Sequence, residues 1–201
     1  MNFLRSSAAL FAAGVFTAVA SAMSVVPPTF PELVAEAQTI VRGTVTQVRS
    51  EEFDTPQGRG IRTLVTLQVE RTLKGAPDAT LTLTVFGGTV GRRTLGIAGM
   101  PQFAVGERQF LFVADNGRVF CPLIGIGHGR YHVRTEAATG REYVARDNGL
   151  PLASTEEVVM PLAANPIVAR LKTPATALAP ADFESRIAAT VAQQILNRHQ
   201  R

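Results

Sequence analysis

From Ile61 to Leu73 the chain alternates apolar and polar residues with a period of two. The apolar residues that share one parity are Ile61, Val65, Leu67, Val69 and Leu73. Successive side chains of a β-strand point to opposite faces, so this pattern predicts a strand with one buried and one solvated face. Such strands are typical of antiparallel sheets, and the segment therefore favours a mainly β fold.

Shorter segments of the same kind lie on both sides of this strand. Further strands are predicted over residues 40–48, 81–85, 107–114, 118–121, 131–135 and 141–146. Asn116-Gly117 is a hairpin-turn signal between two of them, whereas the polar residues 51–60 predict a loop. Short strands with turns between them predict a small antiparallel barrel, closed or nearly closed.

A helix is predicted at each end of this β region. Thr29 and Glu32 have the spacing of a capping box, which predicts a short helix over residues 31–38. Near the other end, apolar residues recur every four positions and predict a helix over residues 182–197. Its apolar stripe consists of Phe183, Ile187, Val191 and Ile195. Three roles stay open for that stripe: packing against the domain, docking to a partner, or forming a marginal helix on a tether.

The N-terminus has the features of a secretory signal. Arg5 precedes an apolar stretch over residues 8–19, and small residues lead to an expected cleavage site between Ala22 and Met23. Cleavage after Ala20 and an uncleaved anchor helix are the alternatives. The sequence therefore predicts a protein exported to the periplasm or the medium. No later segment is apolar enough to predict a transmembrane helix.

These patterns divide the chain into four segments. Residues 1–22 are predicted to be the signal peptide, and residues 23–149 the OB-like β-barrel domain. Residues 150–181 are rich in Ala and Pro without a sustained period, which predicts an extended or linker region. Residues 182–197 are the predicted C-terminal helix.

Charge and cysteine content exclude several classes of function. The chain has 20 basic and 16 acidic residues, so its net charge of +4 provides no concentrated field to attract a polyanion. Together with the predicted export, this argues against nucleic acid as the main ligand. Cys121 is the single cysteine, which excludes an intrachain disulfide and a cysteine-cluster metal site.

No set of residues predicts a coherent catalytic or cofactor site. His128 and His132 are four residues apart and are weak candidates for metal ligands, with no third ligand at a suitable spacing. A metal-dependent hydrolase that uses them is the alternative function. Cys121 is predicted to be a buried or tolerated thiol rather than a nucleophile. The glycine clusters at residues 87–91 and 125–129 do not open a helix, so no nucleotide cofactor is expected.

The glycine-rich loops offer a candidate surface for partner binding. Its residues are Gly87, Gly88, Arg92, Arg93 and Arg130. Glycines allow loops to bend tightly at the rim of a barrel, and arginines there would recognise an acidic protein surface or a polyanionic glycan.

The order of these motifs resembles a known family. Ala37-Gln38-Thr39 leads into the strand of residues 40–45, and Leu73-Lys74-Gly75 ends the long strand. Residues 106–112 then precede the Asn116-Gly117 turn. Over residues 30–121 this arrangement resembles the OB-fold of the tissue-inhibitor-of-metalloproteinase and netrin-like superfamily, and more closely bacterial secreted proteins of that shape.

The resemblance implies a small barrel that presents its loops for binding. The inhibitors of that superfamily chelate the zinc of their target through an N-terminal cysteine, and this chain has no cysteine near its predicted mature N-terminus. That contact therefore carries over to no residue here. The sequence predicts an exported, non-enzymatic binding module, with an extracytoplasmic protein such as a secreted peptidase as its partner. Binding of a surface glycan is a further alternative.

Overall fold

The computed structural model describes residues 26–56, 58–163 and 172–200, and these form a mainly β structure. The signal-peptide prediction, with its cleavage site between Ala22 and Met23, lies outside the described residues. The helices are α1 (Phe30–Glu36) and α2 (Pro180–His199). The strands are β1 (Thr39–Thr55), β2 (Gly58–Lys74), β3 (Thr80–Phe86), β4 (Gly88–Val90), β5 (Arg93–Leu95), β6 (Arg108–Val113), β7 (Arg130–Thr135) and β8 (Glu142–Arg146).

Six strands form one antiparallel sheet in the order β3-β2-β1-β6-β7-β8, and β4 and β5 form a separate two-stranded ribbon. Val45 on β1 lies opposite Leu67 on β2. On the other side of β2, Val65 lies opposite Leu83 on β3. The predicted antiparallel, mainly β architecture with a helix at each end is confirmed. Within the described ranges, the edge strands β3 and β8 do not pair with each other, so the observed architecture is a sheet without strand-to-strand closure.

The sheet separates two apolar cores. The first core lies between the sheet and the helices and includes Leu33, Ile40, Phe110, Phe112, Tyr131 and Phe183. The second core lies on the other face and includes Val41, Val45, Val65, Leu67, Leu111 and Val113. Strand β6 contributes alternate residues to both cores, which explains why its sequence is apolar at nearly every position.

Helix α1 begins with the predicted capping box. The backbone amide of Thr29 donates to Glu32 at 2.8 Å, and the amide of Glu32 donates to the Thr29 hydroxyl at 3.4 Å. At the other end, the Lys74 ammonium donates to the carbonyls of Val34 and Ala35 at 2.6 and 3.0 Å. The side chain of Lys74 therefore satisfies carbonyls that the short helix leaves free.

The predicted loop over residues 51–60 is wrong, because β1 and β2 continue through it as a two-stranded arm (residues 49–62). Arg62 donates to Glu51 at 2.6 and 2.8 Å across the arm. The Phe53 ring meets Phe86 edge-on, with the ring centroids 5.8 Å apart. The residues are polar because nearly all described positions of the arm keep some contact with solvent, and not because its backbone is irregular.

The strand predicted over residues 118–121 is also wrong. Asn116-Gly117 does form a turn, but residues 115–120 (the clasp) then run as bends and turns beside β3. The amide of Thr84 donates to Asn116 Oδ1 at 2.9 Å, and Asn116 Nδ2 donates to the Thr82 carbonyl at 2.8 Å. The amide of Phe86 donates to the Phe120 carbonyl at 2.7 Å. The clasp thus bonds to β3 in place of a strand.

Residues 150–163 and 172–179 cover the free edge of β8. The amide of Val144 donates to the Leu178 carbonyl, and the amide of Leu152 donates to the Val144 carbonyl, each at 2.9 Å. Leu152 and Leu178 belong to the first core, so these parts of the predicted linker are packed against the domain. The remaining linker residues, 164–171, lie outside the described residues.

Helix α2 packs through its first half. Phe183 and Ile187 are fully buried, whereas Ile195 and Leu196 are 49% and 57% exposed. Of the roles predicted for the apolar stripe, packing against the domain is therefore confirmed for its first two residues. Neither described helix has the combination of length and apolar character needed to cross a membrane.

Candidate functional site

A surface pocket lies where the arm meets the ribbon of β4 and β5. Its volume is about 300 Å³, and residues within the segment 95–103 form a further wall. The lining is mixed and includes Ser50, Thr63, Phe86, Leu95, Met100 and Phe103. Two of the predicted partner-binding residues, Gly87 and Gly88, form part of this lining.

Gly88 allows β4 to lie directly against the arm. A Cβ atom at this position would come within 2.3 Å of Thr63 Oγ1 and 2.4 Å of Ser50 Oγ. Its φ of 132° is also one that residues with side chains rarely adopt. The preceding Gly87 accepts a hydrogen bond from the Thr63 hydroxyl at 2.7 Å. The two glycines therefore allow β4 to pack closely against Ser50 and Thr63, and this packing fixes the shape of the pocket.

Arg92 and Arg93 lie at the turn of the ribbon, beside the arm. Arg93 is paired with Glu52, which also binds Arg59 at 3.0 Å. Arg92 is exposed, and in the described part of the chain no carboxylate lies within ion-pairing distance of it. Of the two predicted arginines, Arg92 therefore presents an exposed charge, whereas Glu52 neutralises that of Arg93.

Arg130 does not belong to this exposed surface, so its predicted place on a basic rim is wrong. It lies on β7 with only 6% of its surface exposed. Its guanidinium pairs with Asp147, donates to the Gln102 carbonyl at 2.5 Å and lies 4.8 Å from the centre of the Phe103 ring. Gln102 and Phe103 line the pocket, so Arg130 supports the pocket wall from inside.

His128 and His132 are buried and have different partners. His128 Nδ1 lies 3.3 Å from the Val158 carbonyl, and His132 Nε2 lies 3.8 Å from Asp147 Oδ1. Burial lowers the pKa of His128 and so favours its neutral form. Within the described ranges, no group of three or more His, Cys, Asp and Glu side chains is placed to hold a metal ion. His128 is thus hydrogen-bonded inside the fold, and His132 lies beside a carboxylate.

Asp147 joins these polar groups. Burial by itself would raise the pKa of this carboxyl, but the neighbouring His132 and the charge of Arg130 lower it below its ordinary value. Asp147 is therefore held as a carboxylate. Asp147 also forms an ion pair with Arg130.

Cys121 lies in the second core with 9% of its surface exposed. Burial raises the pKa of its thiol, whereas a nucleophilic cysteine requires a lowered pKa. The structure therefore agrees with the interpretation of Cys121 as a buried thiol.

Gln109 is a buried polar residue that the sequence analysis missed. Its side chain is fully buried, and neither polar atom of its amide has a hydrogen-bond partner among the described residues. It lies opposite Gly43 on one neighbouring strand and opposite His132 on the other. The available signal was its parity: Gln109 shares a face with the apolar residues Leu111 and Val113.

A scan against protein-family models finds no family that matches the chain, and a search among curated proteins finds no match either.

Proposed function

We propose that the chain is an exported, non-enzymatic binding module with an OB-like barrel, and that it binds an extracytoplasmic protein such as a secreted peptidase. The observation that carries this proposal is the pocket between the arm and the ribbon. Its walls are fixed by close packing at Gly88 and by the buried Arg130, so the surface is shaped before any partner arrives.

The OB-like barrel is supported by the contact between the clasp and β3. Strands β2 and β1 separate β3 from β6 in the sheet, and adjacent strands lie about 4.8 Å apart. Residues that directly follow β6 nevertheless reach hydrogen-bonding distance of β3. Such a contact is the one expected of a curled sheet that forms a barrel with an incomplete seam.

The chemistry of the pocket favours a protein partner with an acidic segment. Phe86, Leu95 and Phe103 offer apolar surface to an inserted side chain. Arg92 adds an exposed positive charge at the ribbon turn, which would attract a carboxylate at the rim of an interface. The buried polar groups Arg130, His132 and Asp147 already bond within the fold, which supports a structural role for them rather than a catalytic one.

Affinity capture from the periplasm and the culture medium tests this proposal. The exported wild-type protein is expected to retain a specific protein, and Arg92→Glu is expected to reduce the amount captured because it reverses the exposed charge. Arg134→Glu is the matched control, since Arg134 is an exposed arginine on β7 that does not line this pocket. Inhibition of the captured protein, if it is a peptidase, is measured with a peptide substrate.

Three outcomes would contradict the proposal. The first is that no protein is captured above background. The second is that Arg92→Glu and Arg134→Glu reduce the amount of captured protein equally. The third is that the chain itself turns over a substrate. Recovery of a glycan in place of a protein would favour the glycan-binding alternative.

A further inference from the structure

The side-chain amide of Gln109 on β6 is enclosed by the fold without a protein partner. Within the described ranges, Gln109 is the only residue whose fully buried side-chain nitrogen or oxygen atoms make no hydrogen bond. An amide carries two donor hydrogens and an acceptor oxygen, and leaving them unbonded in the interior is unfavourable. Buried polar groups are bonded either to protein or to ordered water. The Gln109 amide therefore indicates an internal ligand.

A second buried polar residue, His132 on β7, lies directly opposite Gln109 in the sheet. Side chains of directly opposite residues in antiparallel strands share a face, with their Cβ atoms about 5 Å apart. His132 is only 4% exposed, and its Nε2 atom lies 3.8 Å from Asp147 Oδ1. This separation is beyond the usual range of a direct N–H···O hydrogen bond, so a molecule that bonds to both groups would complete the contact.

The neighbouring strands supply no other polar side chain at this level of the sheet. Gly43 on β1 lies opposite Gln109, and Ala145 on β8 lies opposite His132. A Cβ atom at Gly43 would come within 2.6 Å of the Gln68 carbonyl oxygen, so this position cannot carry a side chain without a shift of the backbone. Gln109 and His132 are therefore the two polar members of a row with small residues at both ends.

The charges and the burial of this region select a small neutral ligand. The carboxylate of Asp147 would repel an anion, and the Arg130 guanidinium paired with it would repel a metal cation. The amide atoms of Gln109 are shielded from bulk solvent, which excludes a large molecule. Water is neutral and small, and it both donates and accepts hydrogen bonds, as the amide of Gln109 requires.

We propose that Gln109 and His132 bind a water molecule between them inside the fold, and that the carboxylate of Asp147 is its third partner. The water then makes about three hydrogen bonds, which is the usual number for an internal water. It links β6 to the ion pair of Asp147 with Arg130, the residue that supports the pocket wall. This inference does not depend on the partner suggested above, because the ligand is solvent.

Nuclear magnetic resonance of the wild-type protein tests the proposal directly. The side-chain amide protons of Gln109 are expected to give cross-peaks with water in both NOESY and ROESY spectra. A ROESY cross-peak opposite in sign to the diagonal identifies a bound water, because chemical exchange with the solvent gives the same sign as the diagonal. Absence of such a cross-peak at Gln109 would overturn the proposal.

A substitution at Gln109 tests whether its amide holds the water. Gln109→Met keeps a side chain of similar length and removes both polar atoms. Magnetic relaxation dispersion of the solvent is expected to lose the contribution of one slowly exchanging water molecule in this variant. Gln47→Met is the matched control, because Gln47 is an exposed glutamine on β1, and it is expected to leave the dispersion unchanged. Equal dispersion for Gln109→Met and the wild type would count against the proposal.

Circular dichroism establishes that each variant is folded before its dispersion is measured. Should Gln109→Met not fold, a crystal structure of the wild-type protein that resolves ordered water decides the question without a variant. A density peak within about 3.2 Å of both the Gln109 amide and the His132 ring is expected. A Gln109 amide that bonds directly to His132, with no peak beside it, would overturn the proposal.

Discussion

At the scale of single residues, Arg130 is held in the interior by three different contacts. Asp147 balances its charge, the Gln102 carbonyl accepts a hydrogen bond from it, and the Phe103 ring lies beside its guanidinium. A buried charge is tolerated only where such partners replace water. Asp147 follows β8, whereas Gln102 and Phe103 are neighbours in the wall of the pocket, so Arg130 joins β7 to both of these segments.

We expect Arg130→Met to lower the free energy of unfolding by about 2 kcal/mol, because it leaves the partly buried carboxylate of Asp147 without its cation. Urea denaturation followed by circular dichroism measures this change. The double variant Arg130→Met/Asp147→Asn is expected to recover part of the loss, since neither charge then remains. A cost below about 0.5 kcal/mol for the single variant would mean that the pair behaves as a surface ion pair.

His128 predicts how stability depends on pH. Burial lowers the pKa of His128 in the folded state below its ordinary value of 6.5, with Arg146 and Asp147 as the nearby charges. The unfolded chain therefore takes up a proton at this residue at a higher pH than the folded protein does. We expect the free energy of unfolding to fall as the pH decreases from 7.5 to 5.5, by at most about 1.4 kcal/mol per pH unit.

The control for this dependence is His128→Gln, which keeps a polar side chain without a titrating ring. Urea denaturation at a series of pH values is expected to give a flatter profile for this variant over the same interval. Equal slopes for the variant and the wild type would assign the dependence to another group.

At the scale of elements, α2 is fixed to the sheet by a ring cluster and a charge network. The Phe183 ring lies within 5.1 Å of Phe110 and Tyr131 and within 5.8 Å of Phe30, measured between centroids. Next to it, Glu184 pairs with Arg42 on β1 and lies 3.6 Å from Arg71 on β2. The second half of the helix lacks comparable burial.

We expect Phe183→Ala to lower the free energy of unfolding by about 3–5 kcal/mol, because it opens a cavity among buried rings. Ile195→Ala, at the exposed end of the same apolar stripe, is expected to change it by no more than about 0.5 kcal/mol. Urea denaturation of both variants measures the contrast. Similar costs for the two substitutions would mean that the whole stripe is packed.

Elements that have a local sequence pattern were predicted correctly, whereas those that depend on contacts with distant residues were not. The alternation in β2 is local, so its strand was predictable. The arm has few buried positions and its residues read as a loop, because alternation disappears where both faces meet water. Asn116-Gly117 predicted a turn correctly, but no local pattern shows that Asn116 bonds to β3.

The candidate site was predictable only in part for the same reason. Gly87 and Gly88 line the pocket, whereas Arg92 lies at the turn of the ribbon. Arg130 looked equally exposed in the sequence, and its burial depends on Asp147 and Phe103, which reach it through the tertiary fold. The parity of Gln109 places it beside Leu111 and Val113, but its burial could be predicted only with the knowledge that both faces of β6 are covered.

At the scale of the whole molecule, β6 ties the two cores together. Phe110 and Phe112 pack on the helix side of the sheet, and Leu111 and Val113 pack on the opposite side. We therefore expect the two cores to unfold together, because the unfolding of either core disrupts β6, which the other core also needs. We expect a single heat-absorption peak in scanning calorimetry, with the calorimetric enthalpy equal to the van't Hoff enthalpy; two resolved peaks would show that the cores are thermally independent.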